Sequence, residues 1–284
     1  MKNLINSVFQ ILKLIRYPNL AIIALTQFLT ALFLLENSSF LGLLANLQFI
    51  LLILSTLLIA SGGYIINDYY DIKIDYVNKP DRVVIGKHLK RRHVLVIHSF
   101  FNGLGILLGI FVSWWIVGIN ILATFLLWLY SNLLKRLPLW GNLVVSFLTG
   151  LSVFVVYILF RQNLELIAMY SVFAFFISLI REIVKDLEDI EGDEKFGCRT
   201  LPIAVGLIAT KRIIYSITFL FLVAVYFLAS SLPAFWSFFL TLTIILAFLC
   251  NRIYVADKKN DYANISTYAK VIMVIGILSM TIIQ

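Results

Sequence analysis

The chain has 284 residues, of which 61% are hydrophobic and only 13% are charged, and its mean hydropathy is +0.97. A water-soluble fold of this size needs more polar side chains to cover its surface, so this composition excludes a soluble globular protein and predicts a polytopic membrane protein. The formal net charge of +8 is consistent with loops held at an anionic membrane surface and with attraction of an anionic substrate.

Nine apolar runs are long enough to cross a hydrocarbon core of about 30 Å as helices. They cover residues 19–36, 46–66, 94–112, 114–132, 142–160, 165–183, 212–230, 233–251 and 267–283. Little more than Ser113 separates the third run from the fourth, so a count of eight is the alternative. We therefore expect an all-α bundle of nine transmembrane helices that forms a single domain over residues 1–284.

The basic residues are distributed unequally between the two sides of these spans. If the N-terminus lies on side one, 22 of the 23 Lys and Arg residues fall on that side, and only Arg161 falls on the other. The positive-inside rule then makes side one cytoplasmic. Because no organelle-targeting segment is recognised, the expected location is the cytoplasmic (inner) membrane of a prokaryote, with the N-terminus and nearly all the acidic residues at its cytoplasmic face.

Two acidic segments follow the second and the sixth predicted spans. Three Asp residues stand at i, i+3 and i+7 in each segment, and an Asn precedes the middle Asp of the first by four residues. In a helix, side chains at these spacings share one face. The residues are Asn67, Asp68, Asp71 and Asp75 in the first segment and Asp186, Asp189 and Asp193 in the second.

Carboxylates stacked on one helix face near hydrocarbon repel each other and require a compensating cation. Oxygen ligands favour a hard ion, and Mg²⁺ typically binds through one or two carboxylates together with waters and substrate phosphates. The paired segments therefore predict Mg²⁺ and a phosphate ester or diphosphate substrate. Solvated acidic loops are the alternative, whereas the glycine and glutamate register of an EF-hand is absent.

Basic residues flank both acidic segments. The Arg fork and the Lys ammonium suit phosphate oxygens that a metal leaves free, although anchoring at the membrane surface also explains many of these charges. The candidates for contact with substrate phosphates are Lys79, Arg82, Lys135, Lys185 and Arg199.

At the acidic segments the sequence resembles the UbiA superfamily of intramembrane prenyltransferases. That family has an Asn-Asp-x-x-Asp-x-x-x-Asp segment after its second helix and an Asp-x-x-x-Asp segment after its sixth. Residues 67–75 match the first in full, and Asp189 and Asp193 match the second, followed by Gly197 and Thr200. The resemblance implies a nine-helix bundle around a central cavity, Mg²⁺ dependence and transfer of a prenyl group from a prenyl diphosphate.

The resemblance also implies roles for individual residues. One Mg²⁺ would be held by Asn67, Asp68 and Asp71 and a second by Asp189 and Asp193, and Asp75 is a further catalytic carboxylate. Two accessory candidates are Tyr130, whose ring face could stabilise an allylic cation, and Asp186, which together with Asp75 is a candidate general base by position. The expected partners are a prenyl diphosphate donor, a lipophilic acceptor and membrane lipid, with no nucleic acid and no obligate protein partner.

Within the superfamily, residues 78–82, 135–145, 181–193 and 200–202 are most similar to the digeranylgeranylglyceryl phosphate synthase branch. This similarity implies transfer of a geranylgeranyl-type group to the hydroxyl of geranylgeranylglyceryl phosphate in ether-lipid synthesis. Aromatic acceptors, such as 4-hydroxybenzoate or a naphthoate, and chlorophyll-type acceptors are alternatives. Where family members usually have Pro after Arg82, this chain has Val83, so the resemblance does not predict the conformation of the next loop.

A secondary transporter or Mg²⁺ channel is the alternative from a different class. A transporter places ionisable residues near the middle of the bilayer, often on broken helices. Here every acidic residue except Glu36 and Glu165 falls at one predicted edge of the membrane, which favours an enzyme that acts at that edge.

Overall fold

A computed structural model describes residues 10–78, 83–87, 89–230 and 235–281 of the protein. Helices dominate these residues, and a 3₁₀ turn at Leu134–Arg136 links two of them. The α-helices are α1 (Tyr17–Leu34), α2 (Phe40–Ala45), α3 (Leu47–Asn78), α4 (Arg91–Ile110), α5 (Trp114–Asn132), α6 (Trp140–Phe160), α7 (Leu164–Lys195), α8 (Leu201–Val205), α9 (Leu207–Ala229), α10 (Phe235–Val255) and α11 (Lys259–Ser279).

Nine of the helices in the described ranges are long and apolar enough to cross a membrane, namely α1, α3–α7 and α9–α11. The predicted all-α class and the nine spans are therefore confirmed. The alternative count of eight is wrong, because α4 and α5 are separate helices. Ser113 caps α5, with its side-chain oxygen accepting a hydrogen bond from the Ile116 amide at 3.3 Å.

Helices α3 and α7 are the longest, at 32 residues each. At 1.5 Å per residue each extends over about 48 Å, whereas the hydrocarbon core is only about 30 Å thick. About twelve residues of each helix therefore exceed what is needed to cross the core. The acidic segments lie in the last three turns of the two helices. Both segments are therefore helical, as is necessary for their Asp side chains to share one face.

The chain divides into two compact units, one comprising the chain up to Phe28 with Ser39–Leu134 and the other comprising Leu29–Ser38 with the chain from Lys135 onwards. Buried polar contacts join α3, α4 and α5 in the first unit. Ser55 donates to the Gly105 carbonyl at 2.8 Å, and the Asn120 amide donates to Ser55 Oγ at 2.6 Å and to the same carbonyl at 3.1 Å. Such bonds hold helices together in lipid, where the hydrophobic effect does not.

An apolar cluster supports the acidic end of α3 within the same unit. Leu14, Ile65, Ile85 and Val94 form its buried centre, and Ile72 packs against it from α3. Residues 83–85 are themselves buried, so the loop in which Val83 replaces the usual Pro packs inward against α3. This packing fixes the side of α3 that carries Ile65 and Ile72.

In the second unit, α7 packs against α6, α9 and α11. Its approach to α6 is close at Gly150, where a Cβ atom would lie 2.8 Å from the carbonyl oxygen of Ser171. Tyr170 of α7 contacts Ser279 of α11 through their hydroxyl oxygens at 3.0 Å. These contacts fix the position of α7, which carries the second acidic segment, relative to α6 and α11.

We predict that Gly150→Ala destabilises the protein by about 1–3 kcal/mol, because the new methyl group meets a backbone atom that cannot rotate away. The measurement is the thermal unfolding midpoint in detergent. Gly103→Ala is the matched control, since nothing lies within 4 Å of a Cβ atom at that helical position. Equal midpoints for the two variants would contradict the close packing of α6 on α7.

Candidate active site

The first acidic segment lies on the last three turns of α3. Asn67, Asp68, Asp71 and Asp75 are all half-buried there and share one side of the helix. Asp68 and Asp75 also line a small cleft together with residues 83–85. The segment thus offers several oxygen atoms along one partly sheltered face.

Arg16 neutralises one of these carboxylates. Its Nη2 donates to Asp68 Oδ1 at 2.6 Å, and its guanidinium lies 5.1 Å from the centre of the Tyr64 ring. From the sequence, Arg16 is only one of the basic residues that indicate the topology, and this contact is not predicted. Because 52 residues separate the partners, no local spacing could have revealed it.

The donor atoms of this segment fit a hard cation. Asn67 Oδ1 is buried and accepts no hydrogen bond from the described part of the chain. A buried amide oxygen left without a partner costs about 1–3 kcal/mol, which a cation ligand would recover. Among the described residues, no three Asp, Glu, His or Cys side chains already form a metal cage. Mg²⁺ does not need one, since it retains waters and binds substrate phosphates.

The second acidic segment lies on the last turns of α7, where Asp189 and Asp193 are half-buried. Asp186 is fixed by a neighbouring helix, because the buried Asn142 of α6 donates from Nδ2 to Asp186 Oδ2 at 2.9 Å. Asn142 was not among the predicted site residues, and a single Asn at the start of an apolar run gives no signal for this contact.

Glu182 extends the second segment by one helical turn. It precedes Asp186 by four residues and therefore continues the same carboxylate stripe. Its side chain is buried and accepts hydrogen bonds from Arg181 at 2.9 Å and from Lys185 at 2.9 and 3.1 Å. Glu182 is not among the site residues predicted from the sequence, although its spacing from Asp186 could have identified it.

The predicted phosphate ligands have different surroundings. Lys185 is held by Glu182, and Arg199 is exposed in the segment that follows α7. The Arg199 amide donates to the Arg136 carbonyl at 2.9 Å, which ties this segment to the 3₁₀ turn that contains Lys135. Tyr130 is half-buried near the end of α5. Lys79 and Arg82 lie outside the described residues.

The sequence matches known proteins over nearly its whole length. The model of the UbiA prenyltransferase family matches residues 24–275. The digeranylgeranylglyceryl phosphate synthase of Methanosphaera stadtmanae is 31% identical over 270 residues, which are 92% of this chain and 97% of that protein. The enzyme of the same name from Methanobrevibacter smithii is 31% identical over 251 residues, which are 84% of this chain and 87% of that one.

Solved structures share the fold. A structure of digeranylgeranylglyceryl phosphate synthase superposes with a TM-score of 0.70 at 24% identity and covers 100% of this chain and 99% of its own. A UbiA homologue from Archaeoglobus fulgidus, bound to DMAPP and Mg²⁺, gives a TM-score of 0.69 at 16% identity and covers 97% and 100% of the two chains. At these identities the likeness establishes the architecture.

We predict that Arg16→Gln lowers the thermal midpoint by a few degrees when no divalent cation is added, because Asp68 then loses its counter-ion. For a partly exposed pair this corresponds to about 1 kcal/mol. Arg92→Gln removes the same charge from an exposed position of the same unit and serves as the control. If both variants have the same thermal midpoint as the wild type, the Arg16–Asp68 pair does not stabilise the fold.

Proposed function

The chain belongs to the UbiA prenyltransferase family, and on this basis we propose that it transfers a geranylgeranyl-type group from its diphosphate to the hydroxyl of geranylgeranylglyceryl phosphate, in a Mg²⁺-dependent step of ether-lipid synthesis. The choice of acceptor is supported by the relatives named digeranylgeranylglyceryl phosphate synthase, two of which align with more than four fifths of this chain. Residues 1–284 would act as a single domain.

One structural observation carries the proposed chemistry. Two helices of 32 residues each end in a stripe of carboxylates, and the first stripe includes the buried Asn67 oxygen that lacks a donor among the described residues. Such oxygen-rich stripes suit Mg²⁺, which can in turn bind a diphosphate, much better than they suit any uncharged ligand.

The proposed ligands divide between the two stripes. Asn67, Asp68 and Asp71 would hold one Mg²⁺, with Asp75 beside them, and Asp189 and Asp193 would hold a second. When bound, Mg²⁺ supplies Lewis-acid stabilisation of the charge that develops on the leaving diphosphate. The basic residues proposed to bind phosphate oxygens of the donor or of the acceptor are Lys79, Arg82, Lys135, Lys185 and Arg199.

In the reaction, the bond between the prenyl C1 and the diphosphate oxygen breaks, and the acceptor hydroxyl oxygen forms the new bond to C1. Apolar helix walls shelter the allylic cation from water, and the ring face of Tyr130 is proposed to stabilise it. The hydroxyl proton must pass to a base. Asp186 is the proposed acceptor of that proton, because the 2.9 Å bond from Asn142 holds its carboxylate in one orientation.

The protein is a multi-pass membrane protein, and we propose the cytoplasmic membrane of a prokaryote as its location, with the acidic ends of α3 and α7 facing the cytoplasm. The positive-inside distribution supports this orientation, since only Arg161 among the 23 Lys and Arg residues falls on the other side.

We predict that Asp71→Asn and Asp189→Asn each reduce prenyl transfer at least about 100-fold, because each removes a charged ligand from the transition state. Purified protein receives radiolabelled geranylgeranyl diphosphate, Mg²⁺ and either geranylgeranylglyceryl phosphate or 4-hydroxybenzoate. Asp257→Asn is the control, since its side chain is 90% exposed in the segment between α10 and α11. Transfer only to the aromatic acceptor would overturn the ether-lipid assignment, and full activity of either variant would overturn its metal role.

We predict opposite labelling of two cysteines placed at the ends of α7. In a background with Cys198→Ser and Cys250→Ser, Glu191→Cys should react with an impermeant maleimide only in inside-out vesicles, and Glu165→Cys only in right-side-out vesicles. Both positions are exposed, and about 39 Å of helix separates them. The reverse pattern would place the acidic segments outside the cell.

A further inference from the structure

Glu182 forms a compact ionic cluster with two cations on α7. Its side chain is 11% exposed, and its Oε1 accepts from Arg181 Nη1 at 2.9 Å and from Lys185 Nζ at 3.1 Å. Its Oε2 accepts from the same Lys185 Nζ at 2.9 Å. The ammonium group therefore contacts both oxygens of one carboxylate, which restricts the long and flexible Lys side chain to one arrangement.

The cluster contains two positively charged side chains and one negatively charged side chain. Two cations contact this one buried carboxylate, so Arg181, Lys185 and Glu182 together carry a formal charge of +1 before their other neighbours are counted. Arg181 also has an unused donor, because its Nε–H is buried and finds no acceptor in the described ranges. A buried donor without an acceptor is costly, so this group is suited to an oxygen ligand that the chain itself does not supply.

The position of the cluster relates it to the proposed chemistry. Glu182 lies on the same stripe as Asp186, and the Cα of Lys185 is only about 6 Å along the helix axis from that of Asp189. An Arg guanidinium next to a Lys ammonium can donate hydrogen bonds to several oxygens of a phosphate. Two cations also attract a phosphate dianion more strongly than they attract a singly charged carboxylate.

We propose that Arg181 and Lys185 bind the phosphate monoester of the acceptor lipid, and that Glu182 is the positioning residue that holds the two cations in place. This inference rests on the proposed prenyl transfer and deepens it. It assigns recognition of the acceptor's alkyl phosphate to one cluster, distinct from the carboxylates proposed to bind Mg²⁺ with the donor. Glu182 itself acts only through its two cationic neighbours.

The first test separates the acceptor from the donor. Glu182→Gln should raise the KM for geranylgeranylglyceryl phosphate at least about tenfold while the KM for geranylgeranyl diphosphate changes less than twofold. Glu182→Asp should recover part of the loss, because it keeps the charge. Glu191→Gln removes an exposed carboxylate from the same helix and should change neither constant. An unchanged acceptor KM, or equal rises in both constants, would overturn the proposal.

A binding measurement without donor separates this inference from the proposed function. In nanodiscs, wild-type protein should bind geranylgeranylglyceryl phosphate at least about tenfold more tightly than the phosphate-free geranylgeranylglycerol, and Glu182→Gln should lose that preference. If wild-type protein shows the preference but transfers no prenyl group to the phosphate lipid, the proposed reaction fails and the anion site stands. If wild-type protein binds both lipids equally, the anion site is wrong even when transfer occurs.

A double-mutant cycle tests whether Glu182 acts through Lys185. If it does, Glu182→Gln combined with Lys185→Gln should weaken binding of the phosphate lipid by less than the sum of the two single losses, and the loss beyond that of Lys185→Gln alone should be the part that Glu182 exerts through Arg181. Additive losses would show that the two residues act independently and would contradict the positioning role. Retained binding of geranylgeranyl diphosphate with Mg²⁺ confirms that each variant is folded.

Discussion

Holding several carboxylates close together at the edge of the hydrocarbon core costs free energy, and the contacts of the acidic side chains offset part of this cost. Three of the acidic side chains have different kinds of partner. Arg16 neutralises Asp68, a neutral amide from Asn142 holds Asp186, and two cations surround Glu182. Such local partners stabilise the protein without cancelling the negative charge of the stripes. Divalent cations would neutralise the negative charge that remains.

Helix length brings this chemistry to the membrane surface. A helix of 32 residues is about 18 Å longer than the hydrocarbon core, so α3 and α7 carry their acidic turns beyond the apolar region without a break in backbone hydrogen bonding. Continuous helices also keep each carboxylate in register with the next. The packing inside each unit then holds the two helices firmly, through the Ser55–Asn120 contacts in one and the Gly150 approach in the other.

Much of the fold was predictable because apolar run length and helical spacing are local properties of the sequence. The nine spans and the two acidic stripes depend only on such local patterns, and even Glu182 could have been found by continuing the stripe of Asp186 one turn back. The contacts of Arg16 with Asp68 and of Asn142 with Asp186 could not, since 52 and 44 residues separate the partners and packing alone brings them together.

The most direct test of this account is the number of divalent cations that the protein binds. Electron paramagnetic resonance with Mn²⁺ and an unreactive geranylgeranyl thiodiphosphate should give two ions per wild-type chain, one in Asn67→Ala and one in Asp189→Asn. The first variant removes the buried amide oxygen that lacks a donor among the described residues, and the second removes a carboxylate of the other stripe. Absence of saturable Mn²⁺ binding, or an unchanged count in both variants, would contradict the claim that the two acidic stripes are metal sites.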